Sequence, residues 1–448
     1  MRLNPLLLRS TLVGALGGLL FGFDTAVIAG TTHQLSQVFH LVPELHLFIP
    51  NLGLTVAIAV WGAALGAIGA GPLGQKIGGR EALRVMALLY LVSSLGCALA
   101  WNWPVLLGFR FLGGLGIGGS SVLAPVYLAE LAPARLRGRL VGLFQINIVA
   151  GILLAYASNY AVARLIESGE AWRWQFGVAT IPALLFALFL FGIPRSSRWL
   201  VTQNRIDEAR QVLEMMGTPN SEAELKEIVD SIHLERASKS EPLFQRKYRL
   251  PIFLAISIGM FNQLAGINAI LYYANDIFAF GGFTGLSADR QAVLLGAMNF
   301  CATILAMTVI DKLGRKSLLL IGSVGTAVCL AGVAAIFHLS SHQSDLLWLL
   351  VGFIFFFSIS QGAVIWVYIS EVFPTRVRSK GQSLGSSSHW IMNALISGFF
   401  PWVAKHSTAA PFAFFSAMMV LQFVVVLLAY PETKGVSLEQ LQHKLGID

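Results

Sequence analysis

Long apolar runs, each about the length needed to cross a bilayer, alternate with short polar segments along the whole chain. A membrane-spanning helix needs about 20 consecutive apolar residues. Six such runs precede one longer polar stretch, and six follow it. The pattern predicts an all-α membrane protein with twelve spans, near residues 11–30, 50–72, 83–101, 103–127, 140–163, 174–193, 250–279, 290–310, 317–339, 345–369, 381–404 and 408–430.

The distribution of basic residues orients these spans. If both chain ends lie in the cytoplasm, 26 of the 31 Lys and Arg residues fall in cytoplasmic segments and 4 fall outside, while Arg110 lies within a predicted span. Membrane proteins carry an excess of basic residues in their cytoplasmic loops. The pattern therefore predicts cytoplasmic termini, and it accounts for the net charge of +8 without a nucleic-acid partner.

Composition agrees with a membrane class and gives no sign of an enzyme. The chain is 56% hydrophobic and 12% charged, whereas soluble domains carry about 25% charged residues. Cys97, Cys301 and Cys329 lie in apolar runs without disulfide or metal spacing. We find no nucleophile–base set, and we expect neither a metal nor a cofactor.

One glycine pattern, Gly114-x-Gly116-x-x-Gly119, matches a dinucleotide-binding motif by its letters. It lies inside a predicted helix and follows no strand, so nothing would position a pyrophosphate. Small residues in a membrane helix let a neighbouring helix approach closely. We therefore predict a packing role for this pattern.

The polar stretch at 194–248 predicts short cytoplasmic helices. Asn204 to Met216 carries apolar residues at helical spacing, and Ser221-x-x-Glu224 predicts a capping box for a second helix ending near Arg236. We divide the chain into an N-terminal six-helix bundle at 1–193, a helical linker at 194–248, a C-terminal six-helix bundle at 249–430 and a cytoplasmic tail at 431–448.

The two sets of spans share internal repeats. The pattern Tyr-x-x-Glu-x-x-Pro-x-x-x-Arg begins at Tyr127 and again at Tyr368, and the pattern Lys-x-Gly-x-basic begins at Lys76 and again at Lys312. Both repeats fall at cytoplasmic ends of equivalent spans. Repeated six-helix halves are typical of transporters with a binding site at the interface between the halves.

Two charged residues lie deep in predicted spans. Asp24 falls six residues before Gly30 at the outer end of the first span, and Arg110 falls seven residues after Trp103 at the start of the fourth. Both therefore lie about 9–11 Å below the outer boundary. An ionised Asp at mid-membrane costs about 2.5–3.5 kcal/mol, so we predict that the two pair. Either a proton breaks this pair during a transport cycle, or the pair is static and fixes helix packing.

Several amide side chains also lie within apolar runs. A buried amide costs free energy unless it is hydrogen-bonded, and it offers both donors and an acceptor, as a sugar hydroxyl does. For any one of them alone a helix–helix hydrogen bond is the simpler interpretation, but together they favour a polar binding site. They are Gln145, Asn262, Gln263, Asn268, Asn299 and Asn393.

Several motifs resemble those of the sugar porter family of the major facilitator superfamily, and within it the bacterial xylose– and glucose–proton symporters. They are Phe21–Gly30, Glu130-Leu-Ala-Pro-Ala-Arg-Leu-Arg-Gly-Arg139, Gln263-Leu-Ala-Gly-Ile-Asn-Ala-Ile-Leu-Tyr-Tyr273, Asp311-Lys-Leu-Gly-Arg-Lys316, Glu371-Val-Phe-Pro-Thr-Arg-Val-Arg378 and Pro431-Glu-Thr-Lys-Gly435. They extend over nearly the whole chain. The resemblance implies the twelve-helix major facilitator fold and alternating access.

The resemblance also implies roles for individual residues. Asp24 would be the proton site, with Arg110 as its partner. The sugar site would be lined by Gln145, Asn262, Gln263, Asn268, Asn299, Trp366 and His389. Its apolar or gating wall would be Phe21, Tyr273, Phe357 and Trp390. The cytoplasmic motifs that control conformation would be represented by Glu130, Arg137, Asp311, Arg315, Glu371 and Arg378.

Five positions depart from the family pattern. Gln75 stands where the superfamily usually has Asp, and Gly79 stands where it has a basic residue. Arg195 replaces the Glu of the family's Pro-Glu-Ser-Pro-Arg motif. We expect these three changes to weaken cytoplasmic ion pairs. In the sugar site, Asn262 stands where the family usually has Gln, and His389 stands where relatives have Gln or Asn. One changed polar contact can alter selectivity between a pentose and a hexose.

The sequence thus predicts a proton-coupled symporter of a pentose or hexose. Its partners would be the sugar, the proton and membrane lipid, and we expect a monomer in the inner membrane. A facilitative uniporter with a static Asp24–Arg110 pair is the first alternative. A sugar receptor that does not transport is the second, but such receptors tend to carry long cytoplasmic tails, and only about 18 residues follow the last predicted span.

Overall fold

The computed structural model describes residues 5–41, 45–46, 49–131, 137–166, 169–217, 220–237, 241–283, 285–374, 376–436, 440 and 447. In these residues the N-terminal helices are α1 Pro5–Val27, α2 Thr32–Val38, α3 Asn51–Ile77, α4 Gly79–Ala98, α5 Trp103–Leu131, α6 Arg137–Leu165, α7 Ala171–Val178 and α8 Thr180–Phe189. Three short helices follow: α9 Ser197–Thr202, α10 Ile206–Met215 and α11 Ser221–Ala237.

The remaining helices are α12 Arg249–Leu264, α13 Ile267–Tyr272, α14 Ala274–Phe280, α15 Gly285–Leu313, α16 Arg315–Leu339, α17 Leu346–Ile359, α18 Gln361–Glu371, α19 Arg378–His406 and α20 Ala410–Ala429. Short 3₁₀ helices lie at Ile28–Gly30, Leu190–Gly192, Arg246–Tyr248 and Gln343–Asp345. The strands β1 Leu45–His46 and β2 Ile49–Pro50 form a small antiparallel hairpin. The all-α prediction is confirmed.

Eleven helical segments of the described chain are long and apolar enough to cross a membrane. They correspond to eleven of the twelve predicted spans. The remaining prediction, at 381–404, forms the 29-residue helix α19, whose composition is more polar. Its polar residues His389, Asn393 and Ser397 are buried, so the interior of the protein rather than lipid surrounds them.

Two predicted spans are interrupted helices. The span near 250–279 is divided at Gly266, which has a left-handed φ of 83°. A Cβ at Gly266 would lie 2.3 Å from the Phe415 ring, so this backbone geometry requires glycine. The span near 345–369 is divided at Ser360, which separates α17 from α18. Interrupted membrane helices are typical of transporter binding sites.

Packing divides the chain into two compact units. Unit 1 comprises Met1–Asp24, Trp61–Ile152 and Arg173–Lys239, and unit 2 comprises Thr25–Val60, Leu153–Trp172 and Ser240–Asp448. In unit 2, the Tyr156 hydroxyl donates to the Leu271 carbonyl at 2.7 Å, and Asn159 Nδ2 donates to the Val27 carbonyl at 3.1 Å. The first bond joins an N-terminal segment of unit 2 to the later helix α13, and the second joins its two N-terminal segments to each other. The bundle limits given in Sequence analysis remain predictions.

The glycines of α5 bring it against α4 within unit 1. A Cβ at Gly113 would lie 2.3 Å from Ser93 Oγ, and one at Gly116 would lie 2.8 Å from the Met86 carbonyl oxygen. Larger side chains would force the two helices apart. The packing role predicted for the glycine pattern at 114–119 therefore fits the observed contacts.

The linker contains the two predicted helices as α10 and α11, and also the shorter α9. The predicted capping box at Ser221 is wrong. Ser221 is the first residue of α11, and the preceding Asn220 accepts the Ala223 N–H through its side-chain oxygen at 3.2 Å. Asn is a preferred N-cap residue because its side chain satisfies a free N–H of the first helical turn.

Candidate functional site

Asp24 and Arg110 lie within electrostatic range of each other inside unit 1. Asp24 is on α1 and Arg110 on α5, and the positive charge of Arg110 favours the ionised form of Asp24. Arg110 is buried, with 4% of its surface exposed, and its guanidinium stacks over the Phe176 ring at 5.5 Å. Asp24 is partly accessible.

Two further side chains, which the sequence did not assign to a site, lie near this pair. Tyr90 and Cys97 on α4 are both within electrostatic range of Asp24 and Arg110. Both are buried, and the Tyr90 hydroxyl donates to the Leu20 carbonyl of α1 at 3.5 Å. Polar residues at helical spacing in an apolar run, such as Tyr90, Ser93 and Cys97, are the signal that could have identified them.

A polar cluster in unit 2 contains four of the predicted sugar-binding residues. Gln263 Nε2 lies 3.1 Å from Asn262 Oδ1 and 3.3 Å from each ring nitrogen of His389. Asn268 Nδ2 donates to Gln263 Oε1 at 3.0 Å. The break at Gly266 lets α12 supply Asn262 and Gln263 while α13 supplies Asn268. Because the amides bond to one another, a bound sugar would have to exchange with these hydrogen bonds.

Two indole rings lie close to the His389 ring. The Trp366 ring centroid is 5.2 Å from it, and the Trp390 ring centroid is 5.4 Å from it at an interplanar angle of 89°. Trp390 is buried at 7% exposure, while Trp366 is 42% exposed. Trp366 therefore presents an accessible indole surface beside the amide cluster, as a residue that covers a sugar ring would.

The other predicted residues of unit 2 lie in helix contacts. Asn299 Oδ1 accepts a hydrogen bond from Ser358 at 2.9 Å, and Asn393 Nδ2 donates to the Tyr272 hydroxyl at 3.3 Å. Tyr273 is 1% exposed and stacks on Phe400 at 5.0 Å. Phe357 packs on Phe353. These contacts show a structural use for each residue in this conformation.

Gln145 and Phe21 lie in unit 1, on α6 and α1, and both are partly accessible. Their assignment to the sugar site and its wall remains a prediction. The side chains of Arg137 and Asp311, two of the predicted cytoplasmic motif residues, lie outside the described part of the chain.

The cytoplasmic motif of unit 2 converges on two carboxylates. Glu371 binds Arg315 Nη2 at 3.1 Å and accepts from the Thr433 hydroxyl at 2.6 Å. Glu432 accepts the backbone N–H groups of Arg315 and Lys316 at 2.9 and 3.0 Å. Burial opposes its ionisation, but backbone N–H groups outweigh burial and hold the pKa of Glu432 below its ordinary value of 4.5. The tail is therefore docked on the start of α16.

The remaining described residues of the cytoplasmic motifs are Arg378 in unit 2 and Glu130 in unit 1. Arg378 Nε donates to the Phe373 carbonyl at 3.3 Å. In unit 1, Glu130 accepts a hydrogen bond from Ser196 and interacts with Arg198. Arg80, Arg84 and Arg195 gather around Glu81 instead, at 2.5, 2.8 and 3.4 Å.

A chain whose described residues contain eleven apolar spans, an acid–base pair within them and a buried amide cluster beside an interrupted helix is a multi-pass membrane transporter. A family model described as "Sugar (and other) transporter" matches residues 10–445. The chain belongs to this family, and it is therefore a transporter rather than an enzyme.

Individual relatives agree with this family. The D-xylose-proton symporter of Escherichia coli (strain K12) is 34% identical, over 96% of this chain and 94% of the relative. The galactose-proton symporter of the same organism is 33% identical, over 97% and 93%. The solved inward-open conformation of the Escherichia coli xylose transporter matches with a TM-score of 0.87 and 33% identity, over 98% of this chain and 99% of that one. The predicted major facilitator fold is confirmed.

Proposed function

We propose that this protein is a proton-coupled monosaccharide symporter that carries a pentose or hexose by alternating access. The observation that carries the proposal is the contact between Asp24 and Arg110 within the membrane-spanning helices. The names of the two relatives, a xylose- and a galactose-proton symporter, support both the substrate class and the coupling ion.

The pair offers a physical route for coupling. Arg110 favours the charged form of Asp24, and burial favours the neutral form. When a conformational change weakens the contact with Arg110, burial dominates and Asp24 takes up a proton. Because protonated Asp24 is neutral, the loaded carrier can then reorient without an uncompensated carboxylate in the membrane.

One proton supplies enough free energy for useful accumulation. A charge that crosses 100 mV gains about 2.3 kcal/mol, and about 1.4 kcal/mol corresponds to a tenfold concentration ratio. A single proton can therefore sustain roughly 40-fold accumulation of sugar, before any pH gradient is added.

For the sugar site, we include the cluster of Asn262, Gln263, Asn268 and His389, with Trp366 over the sugar ring. Their hydrogen bonds and ring contacts within unit 2 support this assignment. Asn299 and Gln145 are included on the family resemblance. The wall residues Phe21, Tyr273, Phe357 and Trp390 keep their proposed role on the same basis.

We further propose that the protein works as a monomer in the inner membrane with both termini in the cytoplasm. The excess of basic residues in the predicted cytoplasmic segments supports this orientation. The division into bundles at 1–193 and 249–430, a linker at 194–248 and a tail at 431–448 belongs to the same proposal.

The coupling is tested in proteoliposomes with an imposed pH gradient, acidic outside. We expect uphill sugar uptake by the wild type and its loss in Asp24→Asn, with sugar exchange between the two sides retained. Asp345→Asn, which changes an exposed carboxylate in the 3₁₀ helix Gln343–Asp345 at the end of a span, is the matched control and should transport as the wild type does. Uphill uptake by Asp24→Asn would show that Asp24 is not the proton site.

The same vesicles separate symport from uniport. Sugar added to lightly buffered vesicles should make the medium more alkaline if a proton enters with each sugar. A uniporter would equilibrate sugar with no pH change. A protein that binds sugar without any uptake would be a receptor.

Binding of labelled sugar tests the role of Trp366. Trp366→Ala should weaken binding about tenfold, because stacking and burial against an indole contribute about 1–2 kcal/mol. Trp348→Ala removes an indole that is 70% exposed on α17 and should leave binding unchanged. Equal affinity in the two variants would exclude Trp366 from the site.

A further inference from the structure

Close packing of α4 on α5 fixes the position of three polar side chains relative to Arg110. The glycine contacts of α5 with Ser93 and Met86 leave no space for a side chain between the helices. The Ser93 hydroxyl donates to the Phe109 carbonyl at 2.6 Å, next to Arg110 in the chain. Tyr90 and Cys97, one helical turn to either side of Ser93, are therefore held beside the acid–base pair.

The Tyr90 hydroxyl lies at the depth of Asp24. It is buried, at 3% exposure of the side chain, and its acceptor is the carbonyl of Leu20, which is four residues before Asp24 on α1. In a helix, that carbonyl also receives the N–H of residue 24. At 3.5 Å the bond from Tyr90 is at the upper limit for a hydrogen bond. The hydroxyl can therefore exchange this weak acceptor for a better one nearby.

Apart from Arg110, Tyr90 is the stronger hydrogen-bond donor of the two titratable residues in electrostatic range of Asp24. From α4, Cys97 is also in electrostatic range, but a thiol is a weak donor. From α5 the facing group is Arg110. The α6 backbone packs on α1 through Gly22, yet residues 142–155 of α6 contain no titratable side chain, and neither does α8. Arg173 of α7 is engaged by the carbonyls of Ala98 and Ala100.

We propose that Tyr90 is a positioning residue of the proton site, whose hydroxyl turns from the Leu20 carbonyl to the Asp24 carboxylate once Asp24 has released its proton and before Arg110 returns. This inference rests on the proposed function. The hydroxyl would stabilise the ionised acid after proton release, at the stage of the cycle when its basic partner is no longer in contact. A hydrogen bond to the charged form favours that form. Loss of the hydroxyl should therefore let the carrier keep its proton at higher pH.

The test is the pH profile of proton-driven uptake in proteoliposomes, measured with labelled D-xylose and D-glucose. For Tyr90→Phe we expect the pH of half-maximal uptake to rise by about one to two units, as for the loss of one hydrogen bond to a charged carboxylate. Tyr127→Phe removes a buried hydroxyl of the same unit that donates to the Pro194 carbonyl, and it should leave the midpoint unchanged. An unaltered midpoint in Tyr90→Phe overturns the proposal.

A second measurement separates positioning from packing. In the Asp24→Asn background, adding Tyr90→Phe should not change the pH profile of sugar exchange, because the group on which Tyr90 acts is absent. A further change in that background shows a packing role and overturns the proposal.

If Tyr90→Phe is not recovered in folded form, trifluorotyrosine at position 90 keeps the ring and strengthens the donor. The midpoint should then move to lower pH, and a midpoint equal to that of the wild type contradicts the proposal. Wild-type uptake that ignores pH would instead refute the symport function itself, so the two failures are distinguishable.

Discussion

The cytoplasmic corners of the two units repeat one backbone arrangement with different charges. In unit 1 the Tyr127 hydroxyl donates to the Pro194 carbonyl at 2.7 Å, and in unit 2 the Tyr368 hydroxyl donates to the Pro431 carbonyl at 3.2 Å. In both units the residue two positions after this proline carries a hydroxyl that contacts the repeated glutamate. In unit 1, Ser196 contacts Glu130.

In unit 2 the equivalent contact joins Thr433 to Glu371. The residue between proline and hydroxyl is where the corners differ. Glu432 caps the first N–H groups of α16, whereas Arg195 lies beside Glu81 in the first turn of α4. In unit 2 the carboxylate, Glu432, lies in the segment after the proline, whereas in unit 1 it is Glu81 and lies in the helix itself. A repeated fold can keep its backbone contacts while the charged residue that follows the proline changes sign.

The glycine before each helix sharpens the comparison. Gly78 and Gly314 have φ values of 93° and 89° and are the N-caps of α4 and α16. Their neighbours differ: a Cβ at Gly78 would lie 3.1 Å from the Trp199 ring, and one at Gly314 would lie 2.6 Å from Glu432 Oε2. The same backbone geometry is covered by an aromatic ring in one unit and by a carboxylate in the other.

The largest effect is expected for Gly314→Ala. A side chain at this positive φ costs about 1–3 kcal/mol, and it also displaces the docked Glu432. Gly78→Ala should carry the backbone cost with a smaller clash. Thermal unfolding of the purified protein in detergent measures both. Gly69→Ala on α3, where nothing lies within 4 Å of an added Cβ, is the control, and a Gly314→Ala protein as stable as this control would contradict the comparison.

The next largest effect is expected for Glu432→Ala, because loss of a helix N-cap costs about 0.5–2 kcal/mol. The effect should depend on pH. Since the pKa of Glu432 is held below 4.5 in the folded protein, its contribution is present above that value and is lost as the pH falls through the lowered pKa.

The difference in melting temperature between wild type and Glu432→Ala should therefore be constant near pH 7 and shrink below pH 4.5. Glu214→Ala, at an exposed position of α10, is the control. A difference that persists unchanged at the acid end would mean that the charge of Glu432 is not what docks the tail.

The smallest effect is expected for Arg195→Glu, which restores the family residue. The Arg195 and Glu81 side chains are 32% and 23% exposed, and exposed ion pairs contribute about 0–1 kcal/mol. Arg80 and Arg84 remain on Glu81 in the variant. We expect a loss below about 1 kcal/mol, measured by thermal unfolding. Arg195→Gln separates loss of the charge from repulsion, and a loss as large as that of Glu432→Ala would make the two corners energetically equivalent.

The helices and the acid–base pair were predictable from the sequence because each has a local signal. Apolar length identifies eleven spans, and one charge of each sign at equal depth identifies Asp24 and Arg110. The contacts of Tyr90 were not predictable, because a tyrosine in an apolar run gives no sign of which neighbour its hydroxyl meets. The breaks at Gly266 and Ser360 depend on packing across helices in the same way.

The amide cluster shows a different limit. The sequence identified the residue types, but Asn262, Gln263 and Asn268 bond first to one another, and Gln263 also bonds to His389. Likewise, the replacement of the family's Glu by Arg195 predicted only the loss of a cytoplasmic ion pair. Its partner Glu81 is 114 residues away in the chain, so the replacement pair required the fold.

The docked tail has a consequence for how the protein is made. Glu432 is synthesised 117 residues after Arg315, whose N–H it accepts. The ribosome therefore synthesises α16 and the helices up to α20 before this acceptor exists, and the corner of unit 2 closes only after residue 432 has been added. The corresponding separation in unit 1 is shorter, since Pro194 follows Tyr127 by 67 residues. A nascent chain stalled before residue 432 would hold one finished corner and one open corner, which gives membrane quality control a site at which to recognise incomplete synthesis.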